Sequence, residues 1–143
     1  KMTRFNITLE EGVNFVVFSL NKMFGGEIFV PKIKSYSIVD MVSALSKNAK
    51  IKIIGIRPGE KLHEEMISAA DSVNSVELGK CYIILPNSKY NKLTKKFYKK
   101  INKDCKFLKK GFIYNSLENN FLTILDIKKL IKENYKDFEK LNN

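Results

Sequence analysis

The feature that most constrains the fold is a succession of capped amphipathic helices and short apolar strands in the first 86 residues. Thr8-Leu9-Glu10-Glu11 matches a capping box, and Gly25-Gly26 ends the helix that it predicts. Glu27 to Pro31 (EIFVP) then predicts a strand that Pro31 stops. The predicted helix has one apolar face at helical spacing, formed by Leu9, Val13, Val16, Val17, Leu20 and Phe24.

A second succession follows directly. Ser37-Ile38-Val39-Asp40 predicts another capped helix, and Lys50 to Ile56 (KIKIIGI) predicts a strand entering a buried sheet. Glu60 to Ser68 is predicted to be helical, and Cys81 to Pro86 (CYIILP) to be a strand. Two helix–strand successions predict an α/β layer architecture. The inward side chains of the two predicted helices are Ile38, Met41, Val42 and Leu45, and Leu62, Met66 and Ile67.

The chain changes character after Pro86. A lysine-covered helix is predicted there, and a turn at Asn119-Asn120 precedes a last helix capped by Thr123 to Asp126. We therefore predict a compact portion at 1–86 and a lysine-rich helical extension at 87–143, within one packed unit. The expected apolar faces are Leu93, Phe97, Tyr98 and Ile101 in the first of these helices, and Ile124, Ile127, Leu130, Ile131, Tyr135 and Phe138 in the last.

The formal net charge of +11 is a regional property. Lys89 to Lys110 contains ten lysines and one acid, Asp104, whereas the rest of the chain is nearly balanced. Aromatic residues are interleaved with these lysines, as in binders of single-stranded nucleic acids. They fall at helical spacing, which fits a buried face better, so we expect no nucleic-acid partner. These aromatic residues are Tyr90, Phe97, Tyr98 and Phe107.

Cysteine usage and hydropathy indicate where the chain works. Cys81 and Cys105 lack metal-ligand spacing, and two reduced thiols in a cytosolic protein fit them better than one disulfide. There is no run of 18 apolar residues and no apolar block of a signal peptide at the start. We therefore expect a cytoplasmic chain without a metal site and without membrane contact.

Only two of the 26 basic residues are arginines, Arg4 and Arg57; the other 24 are lysines. Arg57 opens an Arg-Pro-Gly-Glu turn just past a predicted strand, where open α/β sheets bind their ligands. Pro58 and Gly59 fix this turn, and a guanidinium held there suits a diphosphate through paired, charge-assisted bonds. Glu60 can accept bonds from sugar hydroxyls. The alternative is a surface Arg–Glu pair across the turn, and Arg4 by itself is typical of ordinary surface.

His63 is the only histidine and lies in Leu62-His63-Glu64-Glu65. Histidine beside acids can serve acid–base chemistry, but no nucleophile or metal partner is visible in the sequence. We therefore interpret His63 as a solvated residue on the surface of the predicted helix, and Glu64 and Glu65 in the same way.

Three blocks in this order, MTRFNITLEEGV, GGEIFVPKI and KIIGIRPGEKLHEEMI, resemble one family closely. It is the C-terminal part of the inverting UDP-N-acetylglucosamine 4,6-dehydratases, CapD-like polysaccharide biosynthesis enzymes of the extended short-chain dehydrogenase/reductase superfamily. The resemblance covers Met2 to Pro86, and the tail matches loosely. It implies a Rossmann-type fold, NADP and a UDP-amino sugar as substrate. The implied reaction oxidises C4 transiently by hydride transfer and eliminates water across C5 and C6; the hydride then returns to C6, and C5 is inverted. Carried over to matching positions, Arg4 and Arg57 contact the diphosphate and Glu60 holds the ribose.

The sequence also departs from this family. The glycine-rich nucleotide fingerprint is missing, and no Tyr is followed by a Lys four residues later. We therefore expect no catalytic and no cofactor-binding residue in this chain. It is predicted to act only with an N-terminal NADP-binding half, in cis or in trans, in an enzyme that the resemblance implies is a homo-oligomer. The alternatives are a non-catalytic remnant or binding module of the same fold, and a basic nucleic-acid-binding module that uses Lys89 to Lys110.

Overall fold

The computed structural model describes residues 2–86 and 105–134. In chain order the elements are β1 (Thr3–Phe5), α1 (Leu9–Lys22), β2 (Ile28–Pro31), β3 (Ser35–Ser37), α2 (Ile38–Leu45), β4 (Glu65–Ile67), a 3₁₀ helix (Asp71–Asn74), β5 (Ser75–Leu78), β6 (Cys81–Ile84), β7 (Lys106–Phe107), β8 (Tyr114–Asn115) and α3 (Ile124–Asn134). They form two compact units that interleave along the chain. Unit 1 contains 2–8, 33–64 and 115–134, and unit 2 contains 9–32, 65–86 and 105–114.

Unit 1 combines a small sheet with a helix pair. β1 and β3 are antiparallel, with Arg4 opposite Tyr36. Helices α2 and α3 contribute to a core cluster of Ala44, Leu122 and Ile127, against which Leu130 and Ile131 pack. The unit thus places β1, which carries Arg4, beside elements that come from distant parts of the sequence.

Unit 2 is built on a four-stranded antiparallel sheet with the order β2-β6-β5-β7. Pro31 is tolerated in β2 because this strand lies at the sheet edge, where one side of its backbone needs no ladder partner. Strand β4, which also belongs to unit 2, pairs with β8. The buried core cluster of unit 2 consists of Val76, Cys81, Ile83, Leu85 and Cys105, with Phe15 of α1 packed against it.

Both helix caps of unit 1 that the sequence predicts are present. Ser37 Oγ accepts the N–H of Asp40 at 3.1 Å, at the start of α2. Thr123 Oγ1 accepts the N–H of Asp126 at 3.1 Å, and Asp126 Oδ2 accepts the N–H of Thr123 at 2.9 Å. These bonds satisfy amides that the first helical turn leaves unpaired. The predicted helices at α1, α2 and α3 and the predicted strands at β2 and β6 are confirmed.

Two predictions of secondary structure are wrong. Lys50 to Ile56 forms no strand, and its Ile53 is 91% exposed, because no strand of the described residues pairs with it. Glu60 to Ser68 is not helical: a turn and a bend lead into β4, which buries Ile67 by pairing with β8. Part of this segment therefore forms a short strand, although its apolar residues have helical spacing.

Several predictions fall partly or wholly outside the described residues. The lysine-covered helix around Leu93 lies there, as do Tyr135 and Phe138 of the last helix, and the boundary near residue 87 stays a prediction. Among residues 2–86 and 105–134, no helix is long and apolar enough to cross a membrane. Cys81 and Cys105 form no disulfide, as expected, and both lie in the core of unit 2.

Candidate functional site

Arg4 is held by acceptors at two of the three nitrogens of its guanidinium. Its Nη1 donates to the carbonyl oxygens of Thr3 at 2.7 Å and of Leu62 at 3.3 Å. Its Nε lies 3.3 Å from Glu64 Oε1, in an ion pair. The side chain is only 22% exposed, and Nη2 forms no hydrogen bond with any residue that the structure describes. Arg4 is therefore fixed in position with one amino group left for a ligand.

A polar network that includes buried side chains adjoins Arg4 and joins Thr3, His63, Glu64 and Ser116. Thr3 Oγ1 is 2.8 Å from His63 Nδ1 and 2.7 Å from Ser116 Oγ. Ser116 Oγ also donates to the Thr3 carbonyl at 3.2 Å and accepts the N–H of Glu64 at 2.9 Å. The main-chain N–H of Ser116 donates to the Glu64 carbonyl at 2.8 Å. Because Thr3 and Ser116 are buried, every one of these groups needs such a partner.

The expected environment of His63 is wrong. His63 lies in a loop before β4, not on a helix, and it is half-buried with its ring bonded to Thr3. Glu64, which was also expected to be solvated, pairs with Arg4. A Ser, a Thr and a His in contact suggest a hydrolytic site, but Ser116 Oγ is buried and bonded to Thr3 and Glu64. The network is therefore a support for Arg4 and not a nucleophile with its base.

Arg57 lies in an exposed turn that is fixed by its own hydrogen bonds. The N–H of Glu60 donates to the Arg57 carbonyl at 3.0 Å, and Gly59 has a φ of 80°, as position i+2 of a type II turn requires. Glu60 Oε2 accepts the N–H of Arg57 at 3.1 Å. The ion pairs of the described residues do not include Arg57, so the surface Arg–Glu pair is not formed. The Arg57 guanidinium is therefore available for a ligand.

The structure arranges the predicted site residues in two groups within unit 1. Arg57 and Glu60 share one turn, and Arg4 belongs to the network of Thr3, Glu64 and Ser116. Within the described ranges, no hydrogen bond or ion pair joins these two groups. Sequence reasoning missed Thr3 and Ser116 because 113 positions separate them, and no local pattern links residues so far apart.

Two further features of the described residues concern metal sites and nucleotide-binding loops. They contain no group of three or more His, Cys, Asp or Glu residues that could hold a metal ion. The glycines with positive φ lie at residues 25, 26, 55, 59, 79 and 111, and none belongs to a glycine-rich loop between a strand and a helix. This part of the chain therefore offers anion-binding groups, but no cradle for a dinucleotide.

Comparison with known proteins places these features in a family. The family model described as "Polysaccharide biosynthesis protein" matches residues 1–86. The inverting UDP-N-acetylglucosamine 4,6-dehydratase of Campylobacter jejuni is 46% identical over 121 residues, covering 84% of this chain and 36% of that protein. The UDP-glucose 4-epimerase of Rickettsia canadensis is 39% identical over 88 residues, covering 58% of this chain and 26% of that protein. This chain thus covers 36% and 26% of the length of these two curated relatives.

A solved structure gives the same result for the fold. The X-ray structure of Pen from Bacillus thuringiensis superimposes with a TM-score of 0.71 at 26% identity, covering 93% of this chain and 38% of that one. The expected fold class is confirmed: the α/β fold is of the extended short-chain dehydrogenase/reductase, Rossmann type. The chain belongs to the family of CapD-like polysaccharide biosynthesis proteins.

Proposed function

We propose that this chain binds the diphosphate of a UDP-amino sugar as the C-terminal portion of an inverting UDP-N-acetylglucosamine 4,6-dehydratase. The observation that carries the proposal is the exposed, hydrogen-bonded turn that presents Arg57 without a carboxylate partner in the described part of the chain. A planar guanidinium in a fixed turn can bind two phosphate oxygens at once, which an ammonium cannot do.

Arg4 and Glu60 have narrower roles in this proposal. Because acceptors of the protein already occupy Nη1 and Nε of Arg4, its Nη2 is the group assigned to a phosphate oxygen. Glu60 uses Oε2 to fix the Arg57 turn, which leaves Oε1 as the acceptor for a ribose hydroxyl. Both arginines thus act on the same diphosphate, but Arg57 is the one whose guanidinium fork is free.

The reaction itself is assigned to a second, nucleotide-binding half, in cis or in trans. The residues of this chain do not fit NADP, since the glycine fingerprint and the Tyr-x-x-x-Lys pair are both missing. NADP bound to that half would supply the hydride-transfer chemistry, while this chain would bind and orient the substrate. The product then serves surface polysaccharide or flagellin glycan biosynthesis, and we expect a homo-oligomer in the cytoplasm. Cys81 and Cys105 share one core without forming a disulfide, which favours that reducing compartment.

Exposed apolar side chains support the need for this second half. In unit 1, Ile51, Ile53, Ile54 and Ile56 are all more than half exposed. In unit 2, the apolar face predicted for α1 is exposed along its whole length. Exposed apolar side chains grouped in this way along the chain are typical of interfaces, because water-exposed apolar area costs free energy that association recovers.

Substitution of Arg57 tests the diphosphate role. We expect Arg57→Ala to weaken UDP-sugar binding by roughly tenfold to a hundredfold, the range for losing charge-assisted bonds. Arg57→Lys keeps the charge and removes the fork, so most of the affinity should still be lost. Binding is measured by calorimetry on this chain together with its nucleotide-binding half, and NADP affinity should not change.

Lys61→Ala is the matched control, since Lys61 is an exposed cation four residues along the same loop. An unchanged UDP-sugar affinity in both Arg57 variants would overturn the proposed role. So would an equal loss in Lys61→Ala, because general positive charge would then explain the binding.

A further inference from the structure

We propose that Ser116 is a positioning residue for Arg4 in the sugar-nucleotide site. Ser116 lies beyond residues 1–86, to which the family model is matched, so it adds a residue of the C-terminal segment to that site. The inference rests on the proposed function, because it gives Arg4 its role toward the diphosphate.

Ser116 contacts two of the three residues that hold the Arg4 guanidinium. Its Oγ donates to the Thr3 carbonyl, which is also the closest acceptor of Arg4 Nη1 at 2.7 Å. Its Oγ and its main-chain N–H bond the N–H and the carbonyl of Glu64, at 2.9 Å and 2.8 Å. Glu64 in turn pairs with Arg4 Nε. Ser116 therefore ties the main chain of Thr3 to the main chain of Glu64, the residue whose carboxylate pairs with the guanidinium.

Hydrogen counting indicates that this network is complete. Each hydroxyl has one hydrogen, so Ser116 can donate to the Thr3 carbonyl only if Thr3 Oγ1 donates to Ser116 Oγ. The contact between Thr3 Oγ1 and His63 Nδ1 then requires a proton on Nδ1. In this arrangement Ser116 Oγ donates once and accepts twice, from Thr3 and from the Glu64 N–H. All of its bonds are internal, which suits a positioning role.

Removing a buried serine hydroxyl also destabilises the fold. The control is therefore a buried serine that lies away from Arg4. Ser75 provides this control: it is as fully buried as Ser116, and its Oγ donates to the Asp71 carbonyl at 2.7 Å. Ser75 belongs to unit 2, whereas Arg4 belongs to unit 1. Ser116→Ala and Ser75→Ala should therefore lower the melting temperature by similar amounts, while only Ser116→Ala should change substrate binding.

The experiment measures steady-state dehydration of the UDP-amino sugar by this chain with its nucleotide-binding half. We expect Ser116→Ala to raise KM for the UDP-sugar by roughly threefold to tenfold, with kcat nearly unchanged, because Arg4 loses its fixed position. Thr3→Val removes the hydroxyl with little change in shape and should act in the same direction. Thr3→Ser keeps the hydroxyl and should retain the original KM.

A double-mutant cycle separates positioning from general support. If Ser116 acts through Arg4, adding Ser116→Ala to Arg4→Ala should raise KM by less than twofold more. Additive effects would overturn the positioning role, as would an equal rise in KM for Ser75→Ala, or no rise for Arg4→Ala. The Arg57 variants keep the two proposals distinguishable, since they test diphosphate binding without involving the Arg4 network.

Discussion

Helices α1 and α3 have the same kind of apolar periodicity, but the structure treats them differently. In α3, Ile127 is 1% exposed because it packs in a cluster with Ala44 and Leu122. In α1, which the structure describes in full, no residue is buried, and the apolar face defined by Leu9, Val13, Val16, Val17 and Leu20 is 51–86% exposed. The comparison shows that an apolar stripe in the sequence predicts a helix with an apolar face. It does not show that the residues that pack against this face belong to the same chain.

The side of α1 that does pack is not its most apolar side. Phe15 packs against the core cluster of unit 2, and its ring is 6.1 Å from that of Phe18. Gly12 and Ser19 are also half-buried on this side. Helix α1 is therefore anchored to its own unit by one face and presents the other, and we interpret the presented face as an interface with the nucleotide-binding half.

The largest effect is expected for the loss of a buried side chain from α3. Ile127→Ala removes a fully buried side chain and leaves a cavity, so the free energy of unfolding should fall by about 2–5 kcal/mol. Leu125→Ala on the same helix is the matched control; its side chain is 77% exposed, and the change should stay below about 0.5 kcal/mol. Urea denaturation followed by circular dichroism measures both. Equal effects of the two substitutions would mean that α3 is not held by the Ala44–Leu122–Ile127 cluster.

A smaller effect is expected on the α1 side, and it should appear in association and not in folding. Val16→Gln with Leu20→Gln replaces two exposed apolar side chains, so the stability of the isolated chain should change by less than about 1 kcal/mol. Binding to the nucleotide-binding half should weaken by roughly tenfold, since both side chains would be buried in that complex. Calorimetry or surface plasmon resonance measures the affinity.

The matched control for this face is Asn14→Ala with Asn21→Ala, which changes exposed polar positions of the same helix. These substitutions should leave the affinity unaltered. If the Gln pair destabilises the isolated chain by several kcal/mol, the α1 face is covered within this chain, and the contrast with α3 disappears.

The predictions that succeeded depend on neighbours in the sequence. Ser37 and Thr123 are each three residues from the amide that they cap, so the capping patterns could be read from the local sequence. The sequence also singles out Arg4 and Arg57 as candidate ligand-binding residues, because arginine is rare in this chain and both fall in blocks that resemble one family; their binding role stays a prediction. The local sequence also specifies the Arg57 turn, through Pro58 and Gly59.

The predictions that failed depend on distant partners. The segment 50–56 has the composition of a buried strand, but a strand needs a neighbour, and the described residues supply none. The segment 60–68 takes its structure from pairing with β8, about 50 positions further along, which overrides its helical spacing. The hydrogen bonds around Arg4 likewise involve Ser116, so Arg4 could be chosen as a candidate from its local sequence, whereas its surroundings could not.

The smallest expected effect concerns the N-terminal cap of α3, and it tests whether this cap stabilises the helix in addition to its packing. Hydrogen bonds from the backbone N–H and the hydroxyl of Thr123 lower the pKa of Asp126 from its usual 3.8. A lowered folded-state pKa stabilises the fold above the unfolded value, and this stabilisation is lost as the pH falls through the folded value. Asp126→Asn should therefore lower the melting temperature slightly at about pH 7, and the difference from the original chain should shrink toward about pH 3.

Asp40→Asn, at the equivalent position of α2, is the control. Ser37 caps the Asp40 N–H, and no bond from the Asp40 carboxylate to Ser37 is formed in the described structure. A pH dependence of the same size in Asp40→Asn would assign the effect to charge at a helix start, and α3 would then be held by its packing alone.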